Sequence, residues 1–342
     1  MSYQSLRVNG ERLKKSLLDL AWFGGTSQGG VHRLALTEED RQARLQFIEW
    51  MKKEGLQVAI DEMGNVFGRR SGLSNQEPPV LTGSHIDSQP KGGKFDGAYG
   101  AMAALEVVRT LNENDVKTKR PIEIVSWTNE EGSRFSPPMI GSGVFAGAFT
   151  LDYAYSRTDK QGRTLGSELE NISFKGSVPC LPRKVYAYFE LHIEQGPILE
   201  SEGKTIGVVE GILGIAWFDV VLVGEQNQAG PTPMYTRKDP LVAAADMIRA
   251  IRNIPSTVGP DVVSTVGSLD VIPNSRNTIP GEVRFTVDFR SRDSKRIDRC
   301  IELMKMEIAY AAKREGVTAK IEEVWRVPFA EFSDSCLSLI HI

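Results

Sequence analysis

The sequence predicts an α/β protein: a strand–helix–strand unit on a largely parallel sheet, followed by a second, smaller domain of β-α-β-β-α-β order. Apolar runs at 79–82, 122–125 and 185–191 each lead into a cluster of polar, chemistry-bearing side chains. One-faced apolar spacing at Ala101, Ala104, Leu105, Val108 and Leu111 places a helix between the first two runs. From Trp217 onward, strands and helices follow the order of a ferredoxin-like split unit. The 342 residues, at roughly 150 per domain, suit about two domains.

Taken along the chain, Thr37-Glu38-Glu39-Asp40 is a capping box that opens an amphipathic helix running toward Lys53, with Gly55 as its stop. Strands are expected at Val58–Ile60 and Val66–Arg69, joined by a turn at Gly64-Asn65. The run at 79–82 leads to Gly83-Ser84-His85-Ile86-Asp87, that at 122–125 to Thr128-Asn129-Glu130-Glu131, and that at 185–191 to His192. Polar groups just beyond the carboxyl ends of strands lie where open α/β sheets bind ligands.

In the second part, a strand at 217–223 precedes a helix capped by Asp239, with Pro240 at its first position and Leu241, Ala244, Ala245, Ile248 and Ile251 on one face. Strands follow at 262–269 and 283–289, the latter alternating Val283, Phe285, Val287 and Phe289. Ile297, Ile301, Met304, Ile308 and Ala311 mark a helix, and 319–324 a last strand. The domains are therefore set at 1–211 and 212–328, with residues 329–342 as a separate tail.

Composition narrows the function. The charge is −3 (41 Lys+Arg against 44 Asp+Glu), with 25% charged and 41% hydrophobic residues, an ordinary globular balance. It offers no clustered positive charge for nucleic acid or a membrane surface. Cys180, Cys300 and Cys336 are odd in number and lack CxxC spacing, so neither a disulfide framework nor a thiolate zinc site is expected. The most apolar long stretch, 206–224, is broken by Glu210, Asp219 and glycines, and the N-terminus lacks a signal-peptide core. A soluble cytoplasmic protein is expected. Gly92-Gly93-Lys94-Phe95 lacks both nucleotide-binding glycine spacings.

The chemistry-bearing residues point to a metal. A neutral imidazole at His85 is a good zinc ligand, and Asp87, two residues on, can fix its tautomer. Asp96 offers two oxygens, enough to bridge a metal pair. Of the adjacent Glu130 and Glu131, one can bind metal while the other faces a water. His192, in Glu190-Leu191-His192-Ile193-Glu194-Gln195, would complete the nearer metal. Each feature alone is ordinary: Glu pairs are usually solvated, and Asp96-Gly97 is by itself a turn signal. Their coincidence at successive strand ends carries the inference. His32, in a polar loop, and the penultimate His341 have no such company.

The segments TGSHIDSQPKGGKFDGAYG (82–100), WTNEEGSRFSPPMIGSGVFAG (127–147) and ELHIEQGPILE (190–200) resemble the dinuclear-zinc, aminoacylase-like (M20-type) hydrolases. Within these they resemble the N-carbamoyl-L-amino-acid hydrolase, β-ureidopropionase and allantoate amidohydrolase group, over about residues 15–328; the 137–147 continuation is most similar to the first. The resemblance implies a zinc-exopeptidase-like mixed-sheet catalytic domain with an inserted ferredoxin-like lid and dimerisation domain. It also implies two divalent metal ions, zinc or else manganese, cobalt or nickel. His85, Asp96 and His192 would hold one, and Asp96 and Glu131 the other. Glu130 would be the general base and Asp87 the orienter of His85. Gln195 would lie near the scissile group, Asn277 and Arg290 would hold the substrate carboxylate, and a homodimer would form through the smaller domain.

Two departures from the pattern bear on activity. Where the family has His-Ala-Gly before Thr-Pro-Met, thought to steady the oxyanion, this chain has Gln228-Ala229-Gly230, a neutral donor. The family also brings a later His, in a Gly-His-Asp-Ala type segment, to its second metal. This sequence has no such segment after Val327, and its ending, CLSLIHI, resembles nothing in the family. A truncated chain with a non-native tail is therefore expected, with a second site short of a ligand, impaired hydrolysis and an exposed apolar sheet edge. The implied reaction cleaves the carbamoyl C–N bond of an N-carbamoyl-L-amino acid to the amino acid, CO2 and NH3. The alternatives are a β-ureidopropionase, an allantoate or ureidoglycolate amidohydrolase, and a non-catalytic dimeric binding protein.

Overall fold

The structure, a computed structural model, describes residues 5–340, so His341 lies outside the described residues. Two compact units meet in sequence between Ile206 and Gly207. Each has its own apolar core, one built around Phe47, Met51, Met102 and Phe135, the other around Phe218, Met247, Phe285 and Phe289.

In the first unit, α1 (Gly10–Ala21) and α2 (Glu38–Lys53) precede the hairpin β1 (Gln57–Ile60) and β2 (Val66–Arg70). Thr37 caps α2 by accepting the Asp40 N–H. The capping box is only half closed. The Asp40 carboxylate accepts the Leu36 N–H (2.8 Å) and Arg44 Nε (2.8 Å), while the Thr37 N–H donates to Leu34 O. Strands β3 (Val80–His85) and β4 (Ile122–Trp127) flank α3 (Ala98–Glu113), and β5 (Ala187–Phe189) follows the short helices α4 (Ile140–Phe145), α5 (Leu151–Tyr155) and α6 (Leu165–Asn171). Another short helix, α7 (Ile198–Ser201), comes before the second unit.

The sheet order is β1-β2-β4-β3-β5. Strands β4, β3 and β5 pair parallel, as expected of the strand–helix–strand unit, whereas β1–β2 and β2–β4 pair antiparallel, so the sheet as a whole is mixed, with β2 alone running against the other four. The cause is the short β1–β2 link. Asp61 Oδ1 accepts the N–H groups of Met63 and Asn65, and a connection this tight permits only antiparallel pairing. Strand β5 is also shorter than the apolar run at 185–191, pairing with β3 only from Val80↔Ala187 to Thr82↔Phe189. Beyond Phe189 the chain leaves the sheet, and the Glu190 carboxylate bonds to Ser84 and Tyr188.

The second unit opens with β6 (Gly211–Ile212) and β7 (Gly214–Val223), then the two-residue β8 (Asn227–Gln228). Helix α8 (Pro240–Val258) is capped by Asp239, whose Oδ1 accepts the Leu241 and Val242 N–H groups. Next come β9 (Val263–Thr265), β10 (Leu269–Ile272), β11 (Thr278–Ile279), β12 (Glu282–Ser291), α9 (Ser294–Glu315) and β13 (Thr318–Val327). The main sheet, β10-β12-β7-β13, is antiparallel throughout, and β9 also pairs with β12. The single strand expected at 262–269 is thus two. Between Thr265↔Asp288 and Leu269↔Phe285 the chain takes four steps against three on β12, a bulge containing Gly267. Ala216, Phe218, Val220 and Leu222 pack with alternate residues of β12 against α8 and α9. After β13, β14 (Ala330–Glu331) pairs with β6, and α10 spans Asp334–Ile340.

Candidate metal centre

The parallel strands deliver the site at their carboxyl ends. His85 is the last residue of β3, Glu130 and Glu131 lie three and four residues past β4, and His192 lies three past β5. Asp96 comes from the loop that turns into α3. The structure brings His85, Asp96 and His192 together, with one ligand atom from each within 4.8 Å of the others.

Both imidazoles are held by their Nδ1 atoms, which face the main-chain oxygens of Asp87 (3.0 Å) and Ile193 (2.8 Å). An Nδ1–H donating to a carbonyl leaves Nε2 as the free lone pair of a neutral ring. His192 Nε2 lies 3.3 Å from Asp96 Oδ1, a buried oxygen with no hydrogen-bond donor. His85 Nε2 lies 3.4 Å from Glu130 Oε2. Two ring nitrogens converging with an unsatisfied carboxylate oxygen form a mixed N/O donor set of the kind zinc accepts. The residues fit a divalent cation.

The field around His85 favours positive charge. Burial works against a charged ring there. The carboxylates of Asp87, Glu130 and Glu131 outweigh it and raise the imidazole to about 10. His192 is raised by the Asp96 carboxylate beside it. Asp96 is correspondingly held low, chiefly by His192. Burial pushes Glu130 up to about 7, with Asp87 and Glu131 adding to the rise and His85 opposing it. Burial also raises Glu131. Asp87, though buried, is kept low by its bonding and charge interaction with His85, and it accepts the N–H groups of Glu130 and Glu131 at 3.3 Å each. The same carboxylate therefore positions both glutamates through their backbone and lies 3.6 Å from His85 Nδ1.

Two candidate residues sit differently from the sequence expectation. Glu131 is outside the three-residue cluster, and its Oε2 accepts Gln89 Nε2 at 3.0 Å. Gln195 donates to Asp96 Oδ2, so it holds a candidate ligand directly. In the second unit, Gln228 and Asn277 are neighbours. Thr278 is the register partner of Gln228, and the Ala229 N–H donates to Asn277 O. The Arg290 fork is taken by Asp288, with Nε and Nη2 within 2.8–3.2 Å of its two oxygens.

Several contributors had no sequence signal, or a misleading one. A Cβ at Gly97 would lie 2.3–2.4 Å from the His85 ring, so the turn glycine is also the floor beneath that imidazole. Gly100 similarly lets α3 approach the Leu191 carbonyl, one residue before His192. Glu190 is bonded by Ser84 and by Tyr188 (2.5 Å), whose hydroxyl accepts Trp127 Nε1 (3.1 Å). Nothing in the spacing foretells Gln89.

Residues 81–335 match the family described as peptidase family M20/M25/M40. The chain is 44% identical over 321 residues to an N-carbamoyl-L-amino-acid amidohydrolase of Rhizobium meliloti, covering 94% of this chain and 77% of that one. It is 37% identical to an allantoate amidohydrolase of Bacillus subtilis (strain 168), with 92% and 78% covered. A crystal structure of an amidase of the hydantoinase/carbamoylase family from Burkholderia vietnamiensis superposes with a TM-score of 0.96 at 46% identity, covering 98% of this chain and 82% of that one.

Proposed function

This chain belongs to peptidase family M20/M25/M40, and from that premise we propose that it hydrolyses the carbamoyl C–N bond of N-carbamoyl-L-amino acids. It is an amidohydrolase, and the non-catalytic binding reading falls away. The observation that carries the site is the convergence of His85, Asp96 and His192 beside a Glu130 pushed up to about 7. A ureido carbonyl is a poor electrophile, because two nitrogens donate into it. A divalent cation held by His85, Asp96 and His192, zinc or else manganese, cobalt or nickel, supplies Lewis acidity to such a carbonyl and makes water easier to deprotonate. Glu130, 3.4 Å from His85, takes the proton from the attacking water and returns it to the departing nitrogen. Asp87 orients His85 and, through their N–H groups, both glutamates.

A second ion on Asp96 and Glu131 would bind more weakly than the first. Gln195 holds Asp96 Oδ2 and Gln89 holds Glu131 Oε2, so both bonds must open first. One tight ion, a weak second one and slow turnover are the expected behaviour. By resemblance, Gln228 would be a neutral donor toward the oxyanion and lower the rate further, by less than the roughly 10²–10³ lost with a whole donor. Asn277 and Arg290 are assigned to the substrate carboxylate by resemblance, and Arg290 must exchange Asp288 for it. The same resemblance underlies a proposed homodimer formed through the smaller unit, a ferredoxin-like lid, and a cytoplasmic location is proposed with it. Among the described residues, no helix is long and apolar enough to cross a membrane.

Ammonia release from N-carbamoyl-L-methionine, set against allantoate and N-carbamoyl-β-alanine, tests the substrate class. Glu130→Gln should abolish turnover, a loss of about 10²-fold or more, with metal content unchanged. Faster release from allantoate would shift the assignment to the rival amidohydrolase. Turnover retained by Glu130→Gln would remove Glu130 as the base.

A further inference from the structure

Arg33 lies on the segment Val31–Leu36, which has no part in the chemistry above, and its side chain is buried at 2% exposure. Its Nε donates to the main-chain oxygen of Ile86 (2.6 Å), the residue between His85 and Asp87. Its Nη1 donates to Leu20 O (3.0 Å) and Phe23 O (2.7 Å), at the end of α1. The main chain reinforces the grip. The Arg33 N–H donates to Ser88 Oγ (2.9 Å), and the Ser88 N–H returns to Arg33 O (2.8 Å). Two residues further on, the oxygens of Ala35 and Leu36 accept Arg134 Nη1 at 3.0 and 2.8 Å. Arg134 lies in the loop that carries Glu130 and Glu131, so one short segment is bonded to two of the loops that build the candidate centre.

We propose that Arg33 is a positioning residue for the metal centre, fixing the Ile86–Ser88 backbone so that Asp87 holds His85 Nδ1 and leaves Nε2 aimed at the ion. His85 depends on the Asp87 main-chain oxygen at 3.0 Å, and the orientation of that stretch depends on the Ile86 carbonyl that Arg33 grips. Its planar fork reaches Ile86 and the end of α1 at once, which the single point charge of a lysine cannot reproduce. The inference rests on the metal centre proposed above.

The test is zinc affinity of the full chain, by competition with a chromophoric chelator, alongside melting of the metal-free protein. Arg33→Met should weaken zinc binding by about 10–100-fold, the range found for groups that orient metal ligands. Arg33→Lys should fall between it and the wild type. Should Arg33→Met fail to fold, Ser88→Ala, which removes the hydroxyl that accepts the Arg33 N–H and donates to Gln89 O, decides with Arg33→Lys. A loss of threefold or more in both supports the proposal. Variants that melt earlier yet bind zinc as tightly as wild type would overturn it and leave Arg33 a helix-end brace. Wild type that binds no stoichiometric zinc would overturn the metal centre itself, and this inference with it.

Discussion

At Gly97 the backbone has φ +61, and any added Cβ would enter the His85 ring. Both facts exclude a side chain, and the second makes the cost functional as well as structural. Gly97→Ala should lose about 1–3 kcal/mol from the left-handed conformation alone. It should also tilt His85 away from Asp96, lowering zinc affinity by tenfold or more. A zinc titration of the folded variant checks this, and unchanged affinity would mean the ring has room the structure does not show. The sequence marked Asp96-Gly97 as a turn, because a dipeptide reports its own φ. It cannot report an imidazole from twelve positions earlier. For the same reason Gln89 and Gln195 were invisible as partners of Glu131 and Asp96. Their hydrogen bonds span 42 and 99 positions along the chain.

Among the elements, α2 shows how a helix start can be tied to the site. Asp40 and Arg44 are both fully buried and paired at 2.8 Å, and Arg44 Nη1 reaches on to Gly64 O (2.7 Å) and Thr128 Oγ1 (3.1 Å), two residues before Glu130. Asp40→Ala would strand a buried guanidinium, at a cost of about 3–5 kcal/mol. Removing Asp19 from its exposed pair with Lys15 should cost at most about 1 kcal/mol. Thermal melts of the two variants compare these directly, and equal losses would contradict the buried-pair account. The elements themselves were largely legible. Thr37 and Asp239 cap α2 and α8 as their side chains predict, and β12 buries Val283, Phe285, Val287 and Phe289 in turn. What the sequence left open was set by pairing. The direction of β1 and β2 follows from a five-residue turn organised by Asp61, and the split of β9 from β10 follows from a bulge visible only against β12. The convergence at the strand ends was legible because parallel strands joined by a helix must open on the same edge.

Across the whole molecule, the candidate ligands all belong to the unit that ends at Ile206, so zinc should act on the stability of that unit. Protons compete for the same atoms. His85 is raised from the ordinary 6.5 to about 10, so its contribution to metal-free stability is complete below 6.5 and is lost as pH climbs toward 10. Glu130, raised from 4.5 to about 7, acts in the same direction, favouring the fold most when protonated and losing that advantage as pH rises through 7. The metal-free unit should therefore weaken from about pH 6 to pH 8. Zinc binding requires neutral imidazoles, so the ion recovers over that window what the protons gave up, and its affinity rises with pH. Calorimetric scans at pH 6 and pH 8, with and without zinc, read both effects. A hundredfold excess over Kd adds about 2.7 kcal/mol, or roughly 5–10 °C for a unit of this size. The expected pattern is one zinc-sensitive transition whose gain is larger at pH 8, beside a second transition that zinc leaves in place. A zinc gain that shrinks between pH 6 and pH 8 would place the ion on groups other than these two histidines.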